Sequence, residues 1–373
     1  MSTSQGNAGD AQFIEILAPL PYACSTVERL AGGSVNCICR GSLLRPLPDG
    51  SRSVVIRKCS DVTRYCCLQT AELAFLQMAK DTGAFQHVPD NRISVRPVNL
   101  YHFIPESQIQ LVEDKVDSQL LKSFLLSPPS EPKIQDQIAS IGEAIGGWLA
   151  YFHTWGRSQI EEGPLEMFRR NEDLYCKTPS PLYEAVANQC EDEMLRQVVL
   201  AALTKKDQRV QGVIHGDFSP RKYALSSRIH SHMLTKTNSI LIQYSSLSAG
   251  TELTIIDWET ITYENQLHDF ANMMAVIYIQ HHFSGASSFS SLIQGFVRGY
   301  QDLDADLFAE ALILIGVWML FFRQIMVGPG LPDTSQIDPK GKLKALAIDL
   351  ISKGAKRNVG TPDGDLIEFL TSA

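Results

Sequence analysis

Two apolar runs, each delivering an aspartate at its end, constrain this chain more than any other feature. Residues 213–220 read Val213-Ile214-His215-Gly216-Asp217-Phe218-Ser219-Pro220, and residues 253–259 read Leu253-Thr254-Ile255-Ile256-Asp257-Trp258-Glu259. Alone, an aspartate after a β-run is often only a turn residue. Two in this order match what phosphoryl transfer asks of a protein. One carboxylate orients an acceptor hydroxyl and takes its proton, and the other holds Mg²⁺ on nucleotide phosphates.

The rest of the composition sets bounds around that idea. A length of 373 residues is enough for two lobes, and 44% hydrophobic with 20% charged residues is ordinary for a globular chain. The formal net charge of −8 supplies no basic footprint for nucleic acid and argues against adhesion to acidic membranes. Eight cysteines are scattered without a CxxC pair or zinc-like Cys/His spacing, which reads as free thiols in a reducing, cytoplasmic setting. Met1 to Gln12 has neither a basic nor an apolar signal-peptide region and reads as a disordered tail. The most apolar run, 311–322, is shorter than the ~20 residues a membrane span needs and reads as a buried core helix.

Upstream of the aspartates the pattern is mostly that of strands. Leu30-Ala31-Gly32-Gly33 leads into alternating residues with Val35, Cys37 and Cys39 on one face, Leu47-Pro48-Asp49-Gly50 signals a turn, and 53–58 is the returning strand. Gly32 and Gly33 fit either a loop that brings backbone N–H groups to phosphates or a plain hairpin turn. Residues 69–80 read as a helix carrying Glu72, which is either a brace for a strand cation or a solvated residue. Strands are expected over 93–103 and 107–113, with the change from Leu111-Val112 to Glu113-Asp114 marking a hinge. From 134 onward the period becomes helical. Ile138, Ile141, Ile145, Trp148, Leu149 and Phe152 fall on one face, and His153 at the end reads as structural. After Asp257, helices are expected over 269–280, 289–300, 305–326 and 342–355.

The order of parts, from glycine hairpin through strand cation, helix Glu, hinge and HGD loop to a strand ending in DWE, resembles the aminoglycoside phosphotransferase/choline kinase-like family. The resemblance spans about Tyr22 to Asn358. Its most specific pieces are His215-Gly216-Asp217 and Ile256-Asp257-Trp258-Glu259, supported by Gly147-Trp148-Leu149, Phe152-His153 and His268-Asp269-Phe270-Ala271. It implies an α+β, bilobal, protein-kinase-like fold: a small antiparallel β lobe over 13–114 and a larger, mainly helical lobe over 115–373. It also implies ATP and Mg²⁺ as cofactors and a small-molecule hydroxyl as acceptor. Carried over residue by residue, Asp217 is the catalytic base and His215 braces its loop. Gly32, Gly33, Arg57, Glu72 and the backbone around Glu113 serve ATP, Asp257 is the metal ligand, and Asp269 is structural.

Two departures bear on activity. The family usually has Lys where Arg57 stands, and an arginine fork is not a point-charge ammonium. Lys58 is adjacent but faces the other way on a strand. The family's second metal-ligand Asn, five residues after the catalytic Asp, is here Lys222. Residues 223–239 then form an atypical polar insert where the family has a short hairpin. The codons allow a translated intron: splicing between Lys222 and Ser239 would write Asn at the junction and restore His-Gly-Asp-Phe-Ser-Pro-Arg-Asn ahead of Ile240. As written, the chain is either a small-molecule kinase or a catalytically impaired kinase-fold binding module.

Overall fold

A computed structural model describes residues 6–30, 36–59, 62–86, 93–158, 168, 180–220, 239–244, 250–301, 303–326, 338 and 341–357. The expectation of a disordered tail over 1–12 is corrected from residue 6 on, residues 1–5 lying outside the described residues. Helix α1 spans Gly6–Leu17. Phe13 and Leu17 stand four apart, one helical turn, and both are buried under the first sheet with Val27, Cys39, Val54 and Ile56.

Strands β1 (Cys24–Arg29), β2 (Asn36–Leu43) and β3 (Ser53–Cys59) form an antiparallel meander, in which β2 and β3 are the hairpin the alternation predicts and β1 is an added strand. Cys37 and Cys39 do share a face, with their sulfurs 3.9 Å apart. Helix α2 (Val62–Thr82) follows and is longer than expected, with Glu72 buried on it. The single strand expected over 93–103 is two. Strand β4 (Ile93–Pro97) pairs in parallel with a strand of the second lobe, whereas β5 (Leu100–Ile104) pairs antiparallel with β6 (Ile109–Glu113). The first sheet therefore has the order β1-β2-β3-β6-β5.

The second lobe begins with β7 (Gln119–Leu120) and the short helix α3 (Leu121–Leu126), then the long helix α4 (Ile134–Ser158). All six apolar residues assigned to one face of α4 are buried. After α5 (Pro181–Ala187) and α6 (Glu193–Thr204) come β8 (Gln211–Ile214), β9 (Ile240–Gln243), β10 (Thr251–Ile255) and β11 (Thr262–Asn265). They make a sheet of order β4-β10-β9-β7 and a β11-β8 pair. Helices α7 (Leu267–Ser284), α8 (Ser287–Gly299), α9 (Ala305–Met326) and α10 (Lys342–Lys356) complete the chain.

Backbone contact between α4 and α8 sets the frame. A Cβ added at Gly142 would stand 2.3 Å from Leu292 O, and one at Gly295 would stand 1.8 Å from Ala139 O, so the two helices approach at a distance only glycine permits. Helix α9 is the buried core helix expected over 311–322, but it is longer than that run. It runs 22 residues and is long and apolar enough to cross a membrane, so length does not exclude a span. Its most apolar window is 78% buried, and residues along the helix join the same core as α7, α8 and α10. The fold is α+β and bilobal, a small antiparallel sheet lobe beside a mainly helical one.

Candidate active site

The loop after β8 is built around a histidine that is wholly buried. Its ring is oriented at both nitrogens: Nε2 lies 3.0 Å from Ile256 O, and Nδ1 lies 3.3 Å from the backbone N–H of Asp217. A carbonyl can only accept and an amide N–H can only donate, so the ring is the neutral tautomer with its proton on Nε2. Burial lowers the His215 pKa, against the pull of Asp269, which keeps it in that form. His215 thus ties the loop to the strand carrying Asp257 and leaves the carboxylate of Asp217 beyond it.

Asp269, in the first turn of α7, holds the same loop from below. Its Oδ2 accepts from His215 N at 2.7 Å and its Oδ1 from Gly216 N at 2.9 Å. Its Oδ2 also lies 3.3 Å from His153 Nε2, and His153 Nδ1 meets the Tyr300 hydroxyl at 2.8 Å. His153 and Asp269 are therefore structural struts, as the end-of-helix place of the first and the family resemblance of the second led one to expect. Gly216 has φ +86°, and a Cβ there would stand 2.3 Å from Thr260 O, so both conformation and close approach demand glycine.

The second aspartate lies just past the end of β10. Asp257 has φ +67° and ψ +53°, a left-handed conformation that few non-glycine residues hold without support. Support comes from Trp258, buried with its ring 4.5 Å from that of His215 and 3.9 Å from that of Phe75 on α2. The same aromatic cluster therefore braces the His215 loop, the Asp257 turn and the helix of Glu72.

Arg57 joins these parts. Its Nη1 donates to Glu72 Oε1, while its Nη2 lies 3.5 Å from Asp257 Oδ1 and 3.9 Å from Glu259 Oε2. Burial would lower the Arg57 pKa, but Glu72, Asp257 and Glu259 more than reverse this and raise it. The carboxylates outnumber the cation. Burial, with Glu259 beside it, raises Asp257 well above the usual carboxylate range. Burial also brings Glu259 to about 7, where Arg57 opposes the shift and Glu72 and Asp217 add to it. Such mutual electrostatic influence requires Asp217, Glu72, Asp257 and Glu259 to be neighbours.

Of the residues expected from the sequence, Asp217, His215, Arg57, Glu72 and Asp257 converge. Lys58 faces away, its Nζ 5.9 Å from the Phe13 ring centroid. Gly32, Gly33 and Lys222 lie outside the described residues. Glu113 ends β6, but its N–H donates to Asn99 O at 2.9 Å and its side chain takes Arg96 and Lys115 in ion pairs. Its own amide is thus committed within the protein, so any free hinge N–H must come from a neighbouring residue.

Three residues near the His215–Asp217 loop had no role assigned from the sequence. Glu259 completes the carboxylate group around Arg57. Ser239 Oγ donates to Asp217 O, and its N–H donates to Ser219 O at 3.1 Å. Asn272 Nδ2 lies 3.4 Å from Asp217 Oδ1. The only advance signal for Asn272 was its place three residues after Asp269, on the same helix face.

No protein-family model matches the chain. Phosphotransferase FrzJ of a Cladobotryum species is 26% identical over 338 residues, covering 83% of this chain and 84% of the relative. Amicoumacin kinase hAmiN, solved with AMP-PNP, Ca²⁺ and Ami, shares the fold at a TM-score of 0.50 with 12% identity, over 92% of this chain and 94% of that one. A choline/ethanolamine kinase family protein from Mesorhizobium loti aligns over 97% of this chain and 99% of its own at a TM-score of 0.44 and 14% identity. The chain is thus similar along most of its length to a phosphotransferase, and it shares its fold with the amicoumacin kinase.

Proposed function

We propose that the protein transfers the γ-phosphoryl group of ATP, with Mg²⁺, to a hydroxyl of a small molecule. The observation that carries this reading is the convergence of one buried cation, Arg57, with Glu72 and Asp257, beside a loop that presents Asp217. A phosphotransferase among its relatives and a small-molecule kinase of the same fold support it.

In this reading Asp217 accepts the hydrogen bond of the acceptor hydroxyl and takes its proton as the oxygen attacks phosphorus. Arg57, held by Glu72, supplies positive charge to the phosphates. Asp257 holds Mg²⁺. The donor set suits a hard cation, because Asp257 offers a carboxylate one-fifth exposed in a surplus of negative charge. Magnesium is commonly bound by one or two carboxylates together with substrate phosphates, so a fuller cage is not required. The ion's chemistry there is charge neutralisation at phosphate oxygens. Catalysis then consists of positioning and electrostatics without a covalent enzyme intermediate. The two lobes divide near 114, and the setting is cytoplasmic.

A second reading, a catalytically impaired binding module, is favoured by one observation. The Arg57 fork is already engaged with Glu72 and lies within 4 Å of Asp257 and Glu259, so less of it is free for phosphate than of a lysine ammonium. Thermal melting with and without Mg-ATP separates the two. The kinase reading expects a higher melting temperature with Mg-ATP and ADP release with some member of a panel of alcohols and amino alcohols. No shift in melting would leave the binding-module reading standing alone.

A further inference from the structure

The first turns of α7 act on the catalytic loop twice. Asp269 takes the backbone N–H groups of His215 and Gly216, and Asn272, one turn on, faces the side chain of Asp217. Asn272 is 1% exposed, and its Oδ1 has no hydrogen-bond partner among the described residues. The amide cannot be turned round to relieve this. An ionised carboxylate only accepts, so the nitrogen must face Asp217 and the oxygen is left over. A buried carbonyl without a partner costs about 1–3 kcal/mol. An apolar residue of the same size would avoid that cost, so the polar group has a use on its nitrogen side.

We propose that Asn272 is the positioning residue of Asp217: its Nδ2 holds Oδ1 of the carboxylate so that Oδ2 is left for the acceptor hydroxyl. The proposal rests on the phosphotransferase reading above. It assigns the two carboxylate oxygens different tasks, one held by the protein and one left for chemistry. It also explains why a polar residue interrupts Ala271, Met273, Met274 and Ala275, all buried, at this turn of the helix.

The test uses the full chain and Mg-ATP, with water as the acceptor, so no acceptor need be known. Asn272→Leu removes the donor without adding charge and relieves the orphaned oxygen. It is expected to melt at or above the wild-type temperature and to keep its stabilisation by Mg-ATP. Its ATP hydrolysis rate should fall roughly 10- to 100-fold, the scale on which misplacing a catalytic group is felt. The ATP KM should stay unchanged. Asn272→Asp puts a second carboxyl against that of Asp217. The new group donates only while it carries a proton, and the two carboxyls would share one. That variant is expected to lose activity on the alkaline side of a pH range over which the wild type is flat, a signature that loss of packing would not produce. In an Asp217→Asn background, Asn272→Leu should cause little further loss, because it acts through Asp217. If the wild type neither hydrolyses ATP nor is stabilised by Mg-ATP, the phosphotransferase reading falls. If the wild type hydrolyses ATP and both Asn272 variants match its rate and pH profile, only the role of Asn272 falls. Should Asn272→Leu not fold, the pH profile of Asn272→Asp decides alone.

Discussion

At the residue scale, the site concentrates carboxylates around a single guanidinium, and Glu259 shows the consequence most directly. Its carboxyl is raised from the ordinary 4.5 to about 7, so between those values the folded protein holds a proton that the unfolded chain has released. Stability from this group is therefore present below about 4.5 and is lost as pH rises through about 7. Glu259→Gln is expected to remove that loss. The difference in melting temperature between variant and wild type should grow in favour of the variant from pH 5 to pH 8, and a difference that is flat or of opposite sign would contradict it. The meeting of Arg57 with Glu72 and Asp257 was expected from the order of parts and the family resemblance. Glu259 and Asn272 were not. A glutamate after a tryptophan and an asparagine in an apolar helix have no spacing that distinguishes a contact to the site from a solvated or packed position.

At the element scale, period and punctuation recovered the β2–β3 hairpin, α2 and α4, because each buries one face and its sequence repeats accordingly. They failed at residues 93–103, read as one strand although the apolar positions change phase at Pro97-Val98, where the chain leaves one sheet for another. A period of two says which residues share a face and nothing about which sheet the strand joins. The loop after β8 carries the element-scale prediction. Ser219 and Ser239 are 20 positions apart, yet Ser239 N donates to Ser219 O at 3.1 Å and Ser239 Oγ donates to Asp217 O. Ile256 N donates to Ser239 O at 2.8 Å, seating Ser239 at the start of β9. If one Asn replaced residues 222–239, the bonded pair would be residues i and i+3, the hydrogen bond of a β-turn. The new Asn would take the place of Ser239, beside the Asp217 carbonyl. Shortening the closed loop should stabilise the chain by on the order of 1–2 kcal/mol. That shortened chain is expected to melt higher than the chain as written and to be stabilised more by Mg-ATP. Failure to fold, or loss of nucleotide stabilisation, would show that residues 222–239 belong to the working protein. A transcript that lacks their codons would show that they do not.

At the scale of the whole molecule, the lobes are joined by the β4–β10 pairing, by Arg57 beside Asp257, and by two further sets of contacts. One is the aromatic cluster of Phe75, Phe85, Trp148, Phe152 and Trp258, all buried, with Trp148 Nε1 donating to Phe85 O at 2.9 Å. The other is a set of ion pairs beside the hinge, and it has a more specific consequence. Arg96 on β4 grips Glu113 on β6 with both arms of its fork, at 2.7 and 2.8 Å, and reaches Glu252 on β10 at 2.6 Å. Lys115 closes the set, 2.8 Å from Glu113 and 2.9 Å from Glu252. Burial would raise the Glu113 carboxyl, but Arg96 and then Lys115 override it and hold it low. Strand β6 belongs to the first sheet and strands β4 and β10 to the second, so Arg96 ties the two sheets together. Its side chain is 15% exposed, between the surface pairs that contribute little and the fully buried pairs whose breakage costs about 3–5 kcal/mol. Arg96→Met keeps much of the side-chain volume and leaves two carboxylates to one lysine. It is expected to destabilise the protein by about 2 kcal/mol. Because the aromatic cluster remains, the first lobe should then loosen before the second, turning a single melting transition into a broadened or two-step one. Calorimetry on the full chain checks this. A variant that melts in one transition at the wild-type temperature would mean that the remaining contacts couple the lobes without Arg96.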